Sequence, residues 1–177
     1  SADLAGFYAG RLLFTLREAW EVEGRTYKQG ALLAINTANF KAAGKLPSIE
    51  IIYTPDDRSS IEGITVSKSG LYITLLQNVK GRILRFIVEP QNGKWTSKPL
   101  PLPQNGAVSI SAASPHSDTI FINYEDHVTP DKLSEYNARA HKLIELKSLP
   151  ARFDSGDLEV HQYMVRSVDG TEIPYFV

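Results

Sequence analysis

Apolar residues in this chain come in short stretches separated by turn-forming residues. Leu12–Leu16, Ala31–Ile35 and Ile49–Tyr53 are the first three. Ile61–Val66, Leu71–Leu76 and Ile83–Val88 follow, then Ala107–Ala112, Ile120–Tyr124 and Leu143–Leu146. Stretches of this length, rich in Val, Ile, Thr, Tyr and Phe, predict β-strands. Ser69-Gly70, Asn92-Gly93, Asn105-Gly106 and Asp169-Gly170 punctuate them as turns. Asn-Gly and Asp-Gly pairs accept the positive φ that tight hairpins need. Helical periodicity is weak, and the pattern predicts an all-β chain with helix below about a tenth of its residues. Only Pro130–Lys147 has room for a helical turn or two, around Leu133–Tyr136; its other reading is a pair of strands with a polar connection.

The strands repeat. A strongly apolar strand with a polar end occurs three times, at Leu12–Glu18, Leu71–Asn78 and Ile120–Asp126. Each is followed by a loop (Ala19–Gly30, Val79–Gly81, His127–Asp131), a further strand and a shorter closing strand (Ile49–Thr54, Lys94–Leu100, Leu143–Leu149). The units recur at roughly 50 to 60 residues, against about 40–50 for a propeller blade. An insertion at Lys41–Pro47 accounts for the longer first interval. On this pattern alone two architectures stay open: three propeller blades, or an antiparallel sandwich of about ten strands. The end of the chain leaves the rhythm. Leu158–Val165 reads as a long strand, Ser167–Thr171 as a turn, and Ile173–Val177 as the start of another strand. An apolar strand at that point leads us to expect a longer polypeptide.

Composition narrows the chemistry. Nineteen basic residues face twenty acidic ones, and no basic stripe favours nucleic acid or an anionic membrane as partner. No apolar run reaches the ~18 residues of a membrane span. Ser1–Leu4 has neither the basic nor the apolar region of a signal peptide. There is no cysteine, so disulfides, thiolate catalysis and cysteine-held zinc are excluded; the compartment stays open.

No catalytic, cofactor-binding or metal-binding residue is assigned. A Gly-x-Ser-x-Gly elbow is absent. His116, His127, His141 and His161 lack ligand spacing and read as surface or strand-end histidines. Asp56-Asp57-Arg58 and Tyr124-Glu125-Asp126-His127 are the densest acidic clusters. Each reads as a solvated loop or, functionally, as a contact to a peptide amine or to a neighbouring domain. Trp20 and Trp95 read as covers over blade packing, with substrate stacking an alternative for Trp20. Arg17 and Arg82 read as blade-to-blade donors or tunnel-lining cations.

The segment Arg166-Ser167-Val168-Asp169-Gly170-Thr171-Glu172-Ile173-Pro174-Tyr175-Phe176 resembles the junction at which prolyl oligopeptidases leave their propeller for an α/β-hydrolase domain. Ala113-Ser114-Pro115, Ile120–Asp126 and Val128-Thr129-Pro130 are similar to the last blade of that family. Leu16–Trp20 with Gly30–Ile35, and Asn78–Arg82, are similar to its bacterial members. Asn137–His141 departs from the compact strand-turn-strand usual at that place. The resemblance implies a partial propeller, about three four-stranded antiparallel blades over 1–157, with the hydrolase domain starting at 158–177.

The same resemblance implies a serine peptidase whose Ser-Asp-His triad lies past Val177. Its propeller would filter peptides by size, and cleavage would follow proline. Partners would then be a peptide substrate and the protein's own hydrolase domain, with no cofactor. Cut from the ring, the fragment is expected to self-associate. A non-enzymatic propeller binding module and a β-sandwich carbohydrate-binding or adhesion domain are the competing functions.

Overall fold

The computed structural model describes residues 1–38 and 47–177. Its strands form three four-stranded antiparallel sheets, and no α-helix occurs among the described residues. The first blade is β1 (Ala2–Tyr8), β2 (Arg11–Leu16), β5 (Leu32–Asn36) and β6 (Ile49–Tyr53), in that order. A separate hairpin, β3 (Trp20–Val22) with β4 (Arg25–Tyr27), rises between β2 and β5. The second blade is β7 (Ser59–Ser67), β8 (Gly70–Gln77), β9 (Lys80–Val88) and β10 (Trp95–Pro99). The third is β11 (Ala107–Ala113), β12 (Thr119–Glu125), β13 (Lys132–Asn137) and β14 (Lys142–Ser148). A last hairpin pairs β15 (Gln162–Arg166) with β16 (Glu172–Phe176).

Two apolar cores lie between three sheets, and this separates blades from a sandwich. Leu71, Ile73 and Leu75 of β8 pack with Leu13, Leu32 and Ile52 of the first blade. Tyr72, on the opposite face of β8, packs with Ile120, Ile122 and Tyr136 of the third. A strand buried on both faces must be apolar at consecutive positions, which is why Leu71–Leu76 lacks alternation. A two-sheet sandwich would bury one face only and leave the other polar. A third, smaller core of Leu16, Tyr27, Ala31 and Leu33 lies under the β3–β4 hairpin.

The first strands approach one another, β1 with β7 and β7 with β11. Each carries a register shift at the same place: between Leu4 and Gly6, Ile61 and Gly63, and Ile110 and Ala112. The extra residues are Ala5, Glu62 and Ser111. A bulge raises the local twist and interrupts the free edge, so these inner edges are poor templates for another strand. The shared signature is an apolar residue, any residue, then Gly or Ala.

Several expectations need correction. β1 was not expected from its sequence. Residues 132–148 are strands β13 and β14, without a helical turn. Asn137–His141 is a compact turn after all: Asn137 Oδ1 accepts from the N–H groups of Arg139 and Ala140, at 3.1 Å each. The loop Ala19–Gly30 holds the β3–β4 hairpin, which lengthens the first unit. The insertion at Lys41–Pro47 falls almost wholly outside the described residues. The strand expected from Leu158 starts only at Gln162.

One turn stores strain. Gln77 pairs with Lys80, so Asn78 and Val79 alone turn the chain, at φ 49° and 58°. Both positions of such a turn need left-handed backbone, which costs an ordinary L-residue about 1–2 kcal/mol and suits a β-branched one least. Val79 is half-exposed. Replacing it by glycine is expected to raise the unfolding free energy by about 0.5–1 kcal/mol, read by urea denaturation. A loss would show that the Val79 side chain matters more than its backbone.

Candidate functional site

The blades have two ends with different furniture. At one, the β2–β5, β8–β9 and β12–β13 connections gather with the links between blades. Here the N–H of Asn78 donates to the carbonyl of Arg58 at 2.9 Å, and that of Gly81 to the carbonyl of Gly106 at 2.9 Å. A groove of about 760 Å³ runs between the β3–β4 loop and the start of β7, lined by Thr26, Lys28, Asp56, Asp57, Ser60 and Glu62 among others. The final hairpin sits at this same end. At the other end lie Ser69, Asp118, Arg139, His116 and His141.

The acidic clusters are spent largely on their own loops. Asp56 Oδ1 accepts from the N–H of Arg58 at 3.0 Å, and its own N–H donates to Ser59 Oγ at 2.9 Å. The Ser59 hydroxyl beside the Asp56 carboxyl, and after it the N–H of Arg58, hold that carboxyl below its usual range. Asp126 Oδ1 accepts from the N–H groups of Val128 (2.9 Å) and Thr129 (2.6 Å), and Oδ2 from the Tyr124 hydroxyl (2.7 Å). Burial works against the Asp126 charge, but these bonds outweigh it and keep its carboxyl low. Burial, with Asp126 beside it, pushes the Tyr124 phenol up. Arg58 reaches outward from the first cluster, forming an ion pair with Glu172 of β16.

The other candidates are placed as follows. Arg17 makes a bidentate pair with Asp3, at 2.7 and 2.5 Å, tying the end of β2 to β1. That guanidinium holds the Asp3 carboxyl low. Arg82 is exposed on β9 opposite Leu75. Trp20 lies over Tyr27, with ring centres 5.8 Å apart, and covers the small third core. Trp95 packs on Tyr8 and donates its Nε1–H to Glu50 Oε2 at 2.6 Å. His127 stacks against Phe176 at 5.1 Å, and His161 lies 3.2 Å from Glu159. His141 Nδ1 shares a 2.8 Å hydrogen bond with the Tyr136 hydroxyl. His116 is exposed. The four histidines are thus divided between the two ends, and no three metal-ligating side chains gather among the described residues.

Sequence reading missed the charges that join blades. Arg85, between Leu84 and Phe86, donates to the carbonyls of Ser69 (3.1 and 2.5 Å) and Ala138 (3.1 Å), joining the second blade to the third. Arg11 donates to Glu50 Oε2 at 2.7 Å and to the carbonyl of Gly93 at 3.1 Å, joining the first to the second. Asp118 binds Ser69 and Arg139, and the bond from Ser69 holds its carboxyl low. The available signal was a lone charge inside an apolar run, since a buried charge demands a partner. Glu50 and Arg85 carry it; Arg11, just before the Leu12–Leu16 stretch, does not.

Comparison with known proteins agrees with this architecture. Residues 24–148 match the family described as prolyl oligopeptidase, N-terminal β-propeller domain. An uncharacterized peptidase of Sinorhizobium fredii is 31% identical over the whole chain, and one of Rickettsia prowazekii 27% identical over 99% of it. The chain spans 24% of the length of each. A solved post-proline cleaving enzyme from Rickettsia typhi superposes with a TM-score of 0.81 at 25% identity, over 99% of this chain and 25% of that one.

Proposed function

The chain belongs to the prolyl oligopeptidase family, by its N-terminal β-propeller domain, and from that premise we propose that it is the non-catalytic propeller part of a serine peptidase. In this reading residues 1–157 are blades, and 158–177 begin the hydrolase domain that carries a Ser-Asp-His triad. The propeller covers the active site and admits short peptides, which are cleaved after proline. The observation that carries the reading is the match of residues 24–148 on three stacked blades, in a sequence with no nucleophile elbow.

In this reading the blades have a steric role. Their inner strands converge, and the free edge of each inner strand is interrupted by a bulge, so an extended peptide among them finds no continuous edge to pair with. A channel walled in this way passes peptides according to size instead of retaining them. The hairpin supports the boundary at 158. Its outward face presents Tyr163, Val165, Ile173 and Tyr175, each between 44 and 50% exposed. An apolar face of that kind fits further chain of the same polypeptide, and the same face leads to self-association when the fragment stands alone.

The test compares the chain 1–177 with the protein extended to its relatives' full length. The extended protein is expected to hydrolyse a chromogenic Gly-Pro substrate and to lose activity to a serine-directed phosphonylating reagent. The shorter chain is expected to show no turnover and concentration-dependent light scattering. Turnover by residues 1–177, or none by the extended protein, would overturn the reading.

A further inference from the structure

The hairpin formed by β15 and β16 is attached to the blades more sparsely than the blades are to each other. Residues 149–161 lead to it without regular structure, most of them exposed. Among the described residues, three contacts dock the hairpin itself and a fourth holds the lead at Val160. Gln162 Nε2 donates to the carbonyl of Asn78 at 2.7 Å, and Asn105 Nδ2 to the carbonyl of Val160 at 3.3 Å. Phe176 lies against His127, and Glu172 pairs with Arg58.

Two of these meet at one point. The Arg58 side chain holds Glu172, while its backbone carbonyl accepts the N–H of Asn78, whose own carbonyl receives Gln162. A cleft of about 350 Å³ remains beside them, with Arg58, Ser60, Leu76 and Val79 on the blade side and Met164 and Pro174 on the hairpin side. The joint is therefore polar and incompletely packed, the kind of contact that opens at low cost. Glu172 also has a second partner on its own hairpin: Arg166 Nη2 lies 3.8 Å from its other oxygen. When the hairpin leaves the blade, that carboxylate keeps a cation beside it.

We propose that Arg58 is the positioning residue of a latch. Its ion pair with Glu172 holds the 158–177 hairpin against the blade ends, and release of the pair lets the hairpin swing on the 149–161 strap. The latch goes beyond the family reading and does not depend on it. In a protein that continues past the hairpin, the same pair sets how closely the next domain sits over the blades.

The absence of cysteine makes a distance measurement direct. Val168 at the hairpin tip and Lys98 on β10 are exposed. Cysteines placed there accept spin labels, and the distance distribution in the chain 1–177 is read by double electron–electron resonance. A narrow docked population is expected. Arg58→Ala and Glu172→Gln should each raise the undocked fraction by about two- to five-fold, the scale of one exposed ion pair. The double variant should undock no further than the worse single, because both substitutions remove the same contact. Distributions unchanged in either single variant, or effects that add in the double, overturn the latch. No peptidase assay enters, so this outcome is separate from that of the proposed function.

Discussion

Gly106→Ala is expected to cost about 3 kcal/mol or to prevent folding, the upper range of overpacking in a core. A Cβ at this buried position would lie 2.2 Å from the carbonyl oxygen of Glu125 and 2.7 Å from the Tyr124 ring. Both obstacles belong to β12 of the same blade, and one is backbone, which cannot rotate away. The carbonyl of Gly106 also accepts the N–H of Gly81, whose own Cβ would meet the backbone N and Cγ2 of Val108 at 2.7 Å. The second and third blades therefore meet main chain to main chain through this bond. Gly63→Ala is the control. Its Cβ would meet Thr74 at 3.7 Å, an ordinary contact, and a change within about 0.5 kcal/mol is expected. Urea denaturation of both variants reads the difference. A loss below about 1 kcal/mol for Gly106→Ala would mean that the blades part at this point without cost.

That glycine also shows where sequence reasoning stopped. Asn105-Gly106 has the letters of a hairpin turn, as do Asn92-Gly93 and Asp169-Gly170. The latter two glycines do adopt positive φ, 69° and 87°. Gly106 is instead needed for room, and a dipeptide cannot distinguish space from backbone freedom. The strands legible in the sequence were those buried on both faces, such as β5 and β8, where continuous apolar runs leave no ambiguity. β1 was illegible because its bulge at Ala5 slips the alternation halfway along. Its Leu4 and Phe7 end up exposed, at 69 and 63%, so apolar letters there do not mark a core. The β3–β4 hairpin has three residues on each side, too few for any period to register. As for the candidate site, Arg58 was named within its cluster, but its partner Glu172 lies far along the chain, and only the fold brings them together.

Glu50→Ala is expected to cost about 2–3 kcal/mol, somewhat below the loss seen when one partner of a fully buried ion pair is removed. Glu50 Oε2 accepts from Arg11 Nε and from the Trp95 indole N–H. The Arg11 side chain is 10% exposed and that of Glu50 25%, so water can replace the carboxylate only in part. The variant leaves a guanidinium beside Trp95, 5.5 Å from the ring centre, without its counter-charge. An indole donor also loses its acceptor. Both penalties fall at the joint between the first two blades. A second variant separates charge from packing. In Arg11→Leu with Glu50→Leu neither charge remains to be desolvated, so the loss is expected to be smaller than for Glu50→Ala alone. Equilibrium unfolding of wild type, single and double variants supplies the comparison. A double variant less stable than Glu50→Ala would show instead that the pair contributes net stability, through the bonds from Arg11 to the carbonyls of Ala9 and Gly93. In that case the charge would be there for the backbone it ties across two blades, and the carboxylate would serve to hold Arg11 in place.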